Sequence, residues 1–251
     1  VIKNFTIEQL QDLRTPFVNE IQELKSRGAP DRGDWYPYDT MSNISHLDHL
    51  LPEGFRDLGR LARGRPVADI GAADGDLAFL LDRVGFDVEI IENPSTNANG
   101  LTGARKLKQL LGARLSIDEV DLDEQFYLSK EHYGLVFFLG ILYHLQNPFL
   151  VLKKLSERAE FCLISTRITQ LSADRLTRLD SAPVAYLVDP YETNNDPTNY
   201  WIFTEMGLRR IFSRTGWEVV SLITLGALVD SDPASAEFDQ RAFALLRSRN
   251  A

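Results

Sequence analysis

Residues 67–75 read Val67-Ala68-Asp69-Ile70-Gly71-Ala72-Ala73-Asp74-Gly75. A short apolar run that ends in an acid and glycines is the pattern of a buried strand delivering its carboxyl end to a turn, with a helix to follow. The strand is Val67–Ile70, and the helix is predicted near 75–84. A second strand-like run, VEII at 88–91, ends on Glu92. A carboxylate there has enough lone pairs to accept both hydroxyls of a ribose in a bidentate contact. The turn is not a dinucleotide fingerprint. G-x-G-x-x-G brings backbone amides against a pyrophosphate, whereas Asp74 and Asp76 here would repel one. It suits a cofactor that carries an amine or hydroxyls.

Beyond this stretch, strands and helices alternate. A helix is expected near 99–111, a strand at Leu135–Leu139, a helix from Pro148 and a short buried strand at Phe161–Ser165. Pro148 fits a first helical turn, where its missing amide is not needed. Strands separated by helices imply an α/β architecture, a mostly parallel, doubly wound, Rossmann-like sheet with its functional loops at the strands' carboxyl ends. Asp69, Glu92, Asp121 in VDLD (120–123) and Gly140 all fall at such ends. A helix at Thr204–Thr215, with Thr204 as its cap, and final strands at Trp217–Leu225 and Arg241–Arg247 complete the reading.

Asp69-Ile70-Gly71-Ala72-Ala73-Asp74-Gly75 resembles the first motif, D-x-G-x-G-x-G, of the class I S-adenosylmethionine-dependent methyltransferases, with Ala73 where a glycine is common. The resemblance implies a cofactor, S-adenosyl-L-methionine, whose methionine end meets residues 69–75, whose ribose meets Glu92 and whose adenine is flanked by Asp121. The implied cofactor-binding set is Asp69, Gly71, Ala72, Ala73, Asp74, Gly75, Glu92, Asp121, Leu122 and Gly140. It also implies a class I methyltransferase fold with one antiparallel strand in its C-terminal hairpin. LVFFLGILYHLQNP at 135–148 is similar to the fourth strand and following loop of the transfer-RNA wobble-uridine carboxymethyltransferase branch, which carries a similar G-x-L-Y-H stretch. The likeness covers roughly residues 64–165.

Composition narrows the function classes. The chain has 251 residues, 44% of them apolar, and a net charge of −9. That charge gives no broad basic footprint, so RNA is a less favoured partner than a small molecule. No apolar run is long enough to predict a membrane span, and the first residues do not read as a secretory leader. The lone Cys162, in FCLIS, is expected to be a buried strand residue, and a cytoplasmic enzyme is expected. His46 and His49 share helical spacing, but no further Cys or His set completes a metal site, so no metal is expected.

Two domains are expected: a helical arm and active-site cover at 1–63, and the cofactor-binding domain at 64–251 with an insertion or lid at about 166–203. In the arm, Ile7, Leu10, Leu13, Phe17, Ile21 and Leu24 recur at helical spacing over 6–26, with Pro16 expected to bend or interrupt the helix. A Gly/Pro-rich crossing at 28–40 and a second helix near 46–61 follow. Methyl transfer requires in-line alignment in a pocket that excludes water, and an acceptor hydroxyl or acidic carbon also requires a base. His144 is the candidate base, because imidazole exchanges protons near neutrality, with Tyr143 orienting the acceptor. Trp35 and Tyr36 either line the site or pack the arm. Asn199, Tyr200 and Trp201 either read a polar substrate or close a turn. The segment after Trp35, YPYDTMSNISHLDHLL, offers no lysine to pair with an extra carboxylate on a modified donor, which favours ordinary S-adenosylmethionine. The expected function is methyl transfer to a small polar acceptor. The alternatives are a tRNA-modifying methyl- or carboxymethyltransferase and a noncatalytic nucleotide-binding regulator.

Overall fold

The computed structural model describes residues 4–28 and 35–251, so residues 29–34 of the Gly/Pro-rich crossing lie outside the described residues. The chain divides into two compact units, 1–137 and 138–251.

The first unit begins with helices α1 (Ile7–Gly28), α2 (Asn43–Leu50) and α3 (Leu58–Ala62). Ile7, Leu10, Phe17 and Ile21 of α1 are buried, whereas Leu13 is 39% exposed. Pro16, expected to bend or interrupt the helix, does not interrupt it, and α1 is continuous through it. An interior proline costs about 3 kcal/mol, and the burial of these four large side chains outweighs it. The single helix expected near 46–61 is instead two. Pro52 follows α2, a 3-10 turn occupies Glu53–Phe55, and Asp57 caps α3 by accepting a hydrogen bond from the Arg60 amide at 2.9 Å.

The strands of this unit are β1 (Val67–Ile70), β2 (Val88–Glu92), β3 (Ser116–Glu119) and the start of β4 (Tyr133–Leu139), in the order β3-β2-β1-β4. All are parallel, with Val67 opposite Val88 and Leu135, and Ile91 opposite Asp118. β1 is buried along its whole length, as expected for a parallel strand covered on both faces. Between the strands lie α4 (Asp76–Arg83) and α5 (Thr102–Leu111). α4 turns Leu77, Ala78, Leu80 and Leu81 inward, and Asp76 in its first turn complements the helix dipole.

The second unit takes the end of β4, then α6 (Pro148–Ser156), β5 (Ala159–Ile168), β6 (Ala185–Leu187), β7 (Trp201–Phe203), α7 (Glu205–Arg214), β8 (Trp217–Gly226) and β9 (Gln240–Ser248). β9 runs antiparallel to both β5 and β8, giving the antiparallel C-terminal hairpin, and Arg167 of β5 stands opposite Arg241 of β9. β6 and β7 pair with each other, and β7 meets β5 at Ile168. Thr204 caps α7, its Oγ accepting from the Gly207 amide at 3.0 Å, a contact worth about 1 kcal/mol. Trp217, Phe212 and Phe243 fill the core, and the Trp217 indole donates to the Leu152 carbonyl at 2.9 Å. Cys162 is buried in β5. Among the described residues, no helix is long and apolar enough to cross a membrane.

Candidate active site

In the first unit, the turn after β1 requires three left-handed residues: Gly71 (φ 72°), Ala73 (φ 56°) and Gly75 (φ 84°). A Cβ at Gly75 would stand 2.5 Å from Ile90 Cδ1, a side-chain tip that would have to shift, and the left-handed conformation is the stronger reason for glycine there. Ala73, the departure from the usual motif, occupies a conformation that costs an L-residue about 1–2 kcal/mol. Both of its peptide groups are held. Its N–H donates to Glu92 Oε2 at 2.9 Å, and its carbonyl accepts from Asn97 Nδ2 at 3.3 Å.

Glu92 is thus the brace of the turn. Its Oε1 accepts from the Asn93 amide at 3.1 Å, and the Asn93 side chain donates to Asp121 Oδ2 at 3.0 Å. Asp121 Oδ1 accepts from the amides of Asp123 and Glu124 at 2.9 and 3.3 Å. The acids at the ends of β2 and after β3 are therefore preorganised in one network, with Leu122 buried beside them. Asp69 is also buried. Burial, and then the negative charge of Glu92, push the Asp69 carboxyl up to about 7. Burial likewise pushes Glu92 up to about 7, against the backbone amides that favour its ionised form.

Asp74 behaves differently. Its Oδ2 accepts from Lys25 Nζ and from the Tyr36 amide, both at 2.9 Å, and its Oδ1 accepts from Asn99 Nδ2 at 2.8 Å. With three protein donors, it ties α1 and the chain at Tyr36 to the glycine turn. Lys25 also reaches Asp76 Oδ1 at 3.3 Å, and burial raises the Asp76 pKa. Trp35 lies between cations, with Lys25 Nζ 5.4 Å and Lys106 Nζ 5.9 Å from its ring, and its indole Nε1 is buried without an acceptor. The segment following Trp35 lacks a lysine, but α1 and α5 bring two. Ala72 is buried in the turn.

In the second unit, Gly140 (φ 77°) turns the chain after β4, its amide donating to the Ser165 carbonyl at 3.0 Å. A 3-10 turn at Leu142–His144 then sets the Tyr143 and His144 rings 4.3 Å apart. His144 Nδ1 lies 2.9 Å from Thr198 Oγ and 3.2 Å from the Thr198 carbonyl. The Thr198 hydroxyl donates its proton to Asp196 Oδ1 at 2.6 Å. Both Thr198 oxygens can then only accept, which puts the imidazole proton on Nδ1 and the basic lone pair on Nε2. Burial lowers the His144 pKa, Asp196 opposes that shift, and Arg241 adds to it.

Asn199, Tyr200 and Trp201 pack against this turn. The Tyr200 amide donates to the Tyr143 carbonyl at 2.8 Å, and the Trp201 indole to the Gln146 carbonyl at 3.2 Å. Asn199 is buried, its Nδ2 donating to the Thr193 carbonyl at 3.1 Å and its Oδ1 without a donor. Arg241 completes the cluster, its guanidinium carbon 5.9 Å from the Tyr143 ring centre. No local pattern marks this residue. Only the antiparallel pairing of β9 with β5 carries it to the carboxyl edge of the strands. Among the described residues, no cluster of three or more His, Cys, Asp or Glu is placed to hold a metal ion.

Parallel strands β1–β4, a glycine turn braced by an acid at the end of β2, and an antiparallel strand β9 define a class I, Rossmann-like methyltransferase fold. A family model described as a methyltransferase domain matches residues 44–222, and the chain belongs to that family. It is a methyltransferase built on the S-adenosylmethionine-dependent class I fold. The N-terminal domain of EvdMO1 with SAH bound superposes with a TM-score of 0.58 at 16% identity, covering 96% of this chain and 97% of that one. The same domain in the presence of SAH and D-fucose gives 0.59 at 16% identity, over 92% and 96%. The cyclase SpnF gives 0.55 at 13% identity, over 96% and 94%. No curated protein matches the sequence.

Proposed function

We propose that this methyltransferase uses S-adenosylmethionine to methylate a small polar acceptor, with His144 as the base. The observation that carries the reading is the Glu92 brace. One carboxylate fixes the Ala73 turn at 2.9 Å and, having more lone pairs than the two it uses there, can also receive a ribose diol. The residues fit the group: acids at the carboxyl ends of the strands and a turn with left-handed residues. When bound, S-adenosylmethionine supplies an electrophilic methyl sulfonium. Glu92 and Asp121 orient the nucleoside, and Asp69 and the 71–75 backbone face its amino-acid end. His144 Nε2 takes the acceptor proton, while Nδ1–H stays pinned to Thr198. The burial that keeps His144 neutral keeps it competent as a base at neutral pH.

The size and polarity of the acceptor are supported by the net charge of −9 and by the likeness to a domain studied with D-fucose. The Gly140–His144 stretch favours a second reading, a carboxymethyl donor and an RNA acceptor. A cytoplasmic location is our reading from Cys162, retained as a free, buried thiol. The test is incubation of the chain with radiolabelled S-adenosylmethionine and separated metabolite and RNA fractions. Label in a metabolite supports the proposal. Label only in RNA would move the assignment to the second reading, and no transfer by a chain that binds the donor would leave a binding protein or another chemistry, as the cyclase SpnF illustrates for this fold.

A further inference from the structure

Arg241, at the start of β9, is positioned for work that the mechanism above leaves unassigned. Its Nε donates to Asp239 Oδ2 at 3.0 Å. The other oxygen of Asp239 lies 3.1 Å from Nε of Arg167. Arg167 is buried, and its Nη2 donates to the carbonyls of Asp232 (3.2 Å) and Ser235. Arg167 stands within ion-pair distance of Asp239 without a hydrogen bond between Nε and Oδ1, and Asp239 fixes the orientation of Arg241. Among the described residues, Arg241 makes no second ion pair, and its side chain is 42% exposed. Its guanidinium carbon stands 5.9 Å from the Tyr143 ring centre, Tyr143 is a side-chain hydrogen-bond partner, and the Arg241 charge helps to lower the pKa of the adjacent His144. Asp239 stands between the two guanidinium groups, and Asp232 also acts on Arg167. Asp239 holds Arg241 through Nε, and the side chain stays half-exposed, so the guanidinium keeps donors that an incoming anion can reach.

We infer that Arg241 binds a carboxylate on the acceptor, so that the substrate is an organic acid held with its nucleophilic group toward His144. The inference rests on the proposed methyltransferase reading and names the substrate class of the same site. A guanidinium offers paired N–H donors in the plane that matches a carboxylate, and a neutral amide of the same shape loses the charge-assisted part of that contact. Arg167, being buried and capped, acts as a positioning residue through Asp239.

The test is NMR of the arginine side-chain N–H groups in the SAH-saturated chain, titrated with benzoate and, separately, with its neutral isostere benzamide. The Arg241 resonance is assigned by its loss in Arg241→Lys. The expected result is a saturable shift of that resonance with benzoate, at least about tenfold weaker or absent with benzamide, and lost in Arg241→Gln. Asp239→Asn, which keeps Arg241 but unmoors it, should weaken the response. No saturable shift, or the same shift at all exposed arginines, or equal response to benzamide, would overturn the inference. SAH affinity of the parent chain, measured by calorimetry beside its benzoate response, separates the two readings. Intact SAH binding with no benzoate response sinks only the carboxylate assignment, whereas failure of the parent chain to bind SAH sinks the methyltransferase reading beneath it.

Discussion

The backbone N–H of Ala73 donates to Oε2 of Glu92 at 2.9 Å, so the turn after β1 and the acid ending β2 form one mechanical element. The residue that would receive the ribose is also the residue that holds the glycine turn in shape. Ligand affinity and turn stability are therefore coupled at this position.

Glu92→Ala should consequently do two things. It removes an ionic hydrogen-bond acceptor from the ligand and leaves the Ala73 amide without a partner. SAH affinity should fall by about tenfold to a hundredfold, and the chain should lose about 1–3 kcal/mol of stability. Calorimetry and denaturant unfolding read the two effects. Unchanged affinity in a folded variant would remove Glu92 from the cofactor site.

Ala73→Gly should stabilise the protein. The left-handed conformation at φ 56° strains alanine and not glycine, so the gain is about 1 kcal/mol. Gly75→Ala should do the reverse, because its Cβ would meet Ile90 Cδ1 at 2.5 Å as well as the same kind of strain. Thermal unfolding midpoints of the two variants should move in opposite directions.

Asp69 and Glu92 make a pH signature. Their folded pKa values, pushed to about 7, stand above the ordinary 3.8 and 4.5. A raised acid contributes stability that is fully present below the ordinary value and is lost as pH rises through about 7. The ligand-free chain should therefore lose stability over that window, and Asp69→Asn should flatten the slope. Donors from a ribose favour ionised Glu92, so SAH binding near neutrality should release protons. Calorimetric enthalpies in buffers of different ionisation heat would detect that release, and identical enthalpies would contradict it.

His144→Ala should lower turnover by about a hundredfold or more while leaving SAH affinity within about twofold. The acidic limb of the rate profile should lie below the ordinary imidazole value, because burial lowers the His144 pKa. A variant that turns over at the parent rate would remove the base role.

Much of the fold could be read from local pattern. The apolar run Val67–Ile70, the acid at Glu92 and the cap at Thr204 rest on neighbours in sequence, whereas the antiparallel final hairpin is implied by the resemblance to the class I methyltransferases. What could not be read rests on contacts between distant positions. Nothing near Pro16 announces that α1 passes through it, since the burial of Ile7, Leu10, Phe17 and Ile21 decides that. Nothing near Asp74 announces Lys25 or the Tyr36 amide as its partners. Ala73 reads as a tolerable change for its size, yet its cost lies in φ rather than in volume. Arg241 reaches Tyr143 only through the register of β9 on β5.

The most direct test of the account is calorimetry of the folded, ligand-free chain against S-adenosylmethionine, SAH and NAD. Both sulfur ligands should bind, one molecule per chain, and NAD should not, because acids occupy the turn where a pyrophosphate would sit. NAD binding as tightly as SAH, or no binding of either sulfur ligand, would contradict it.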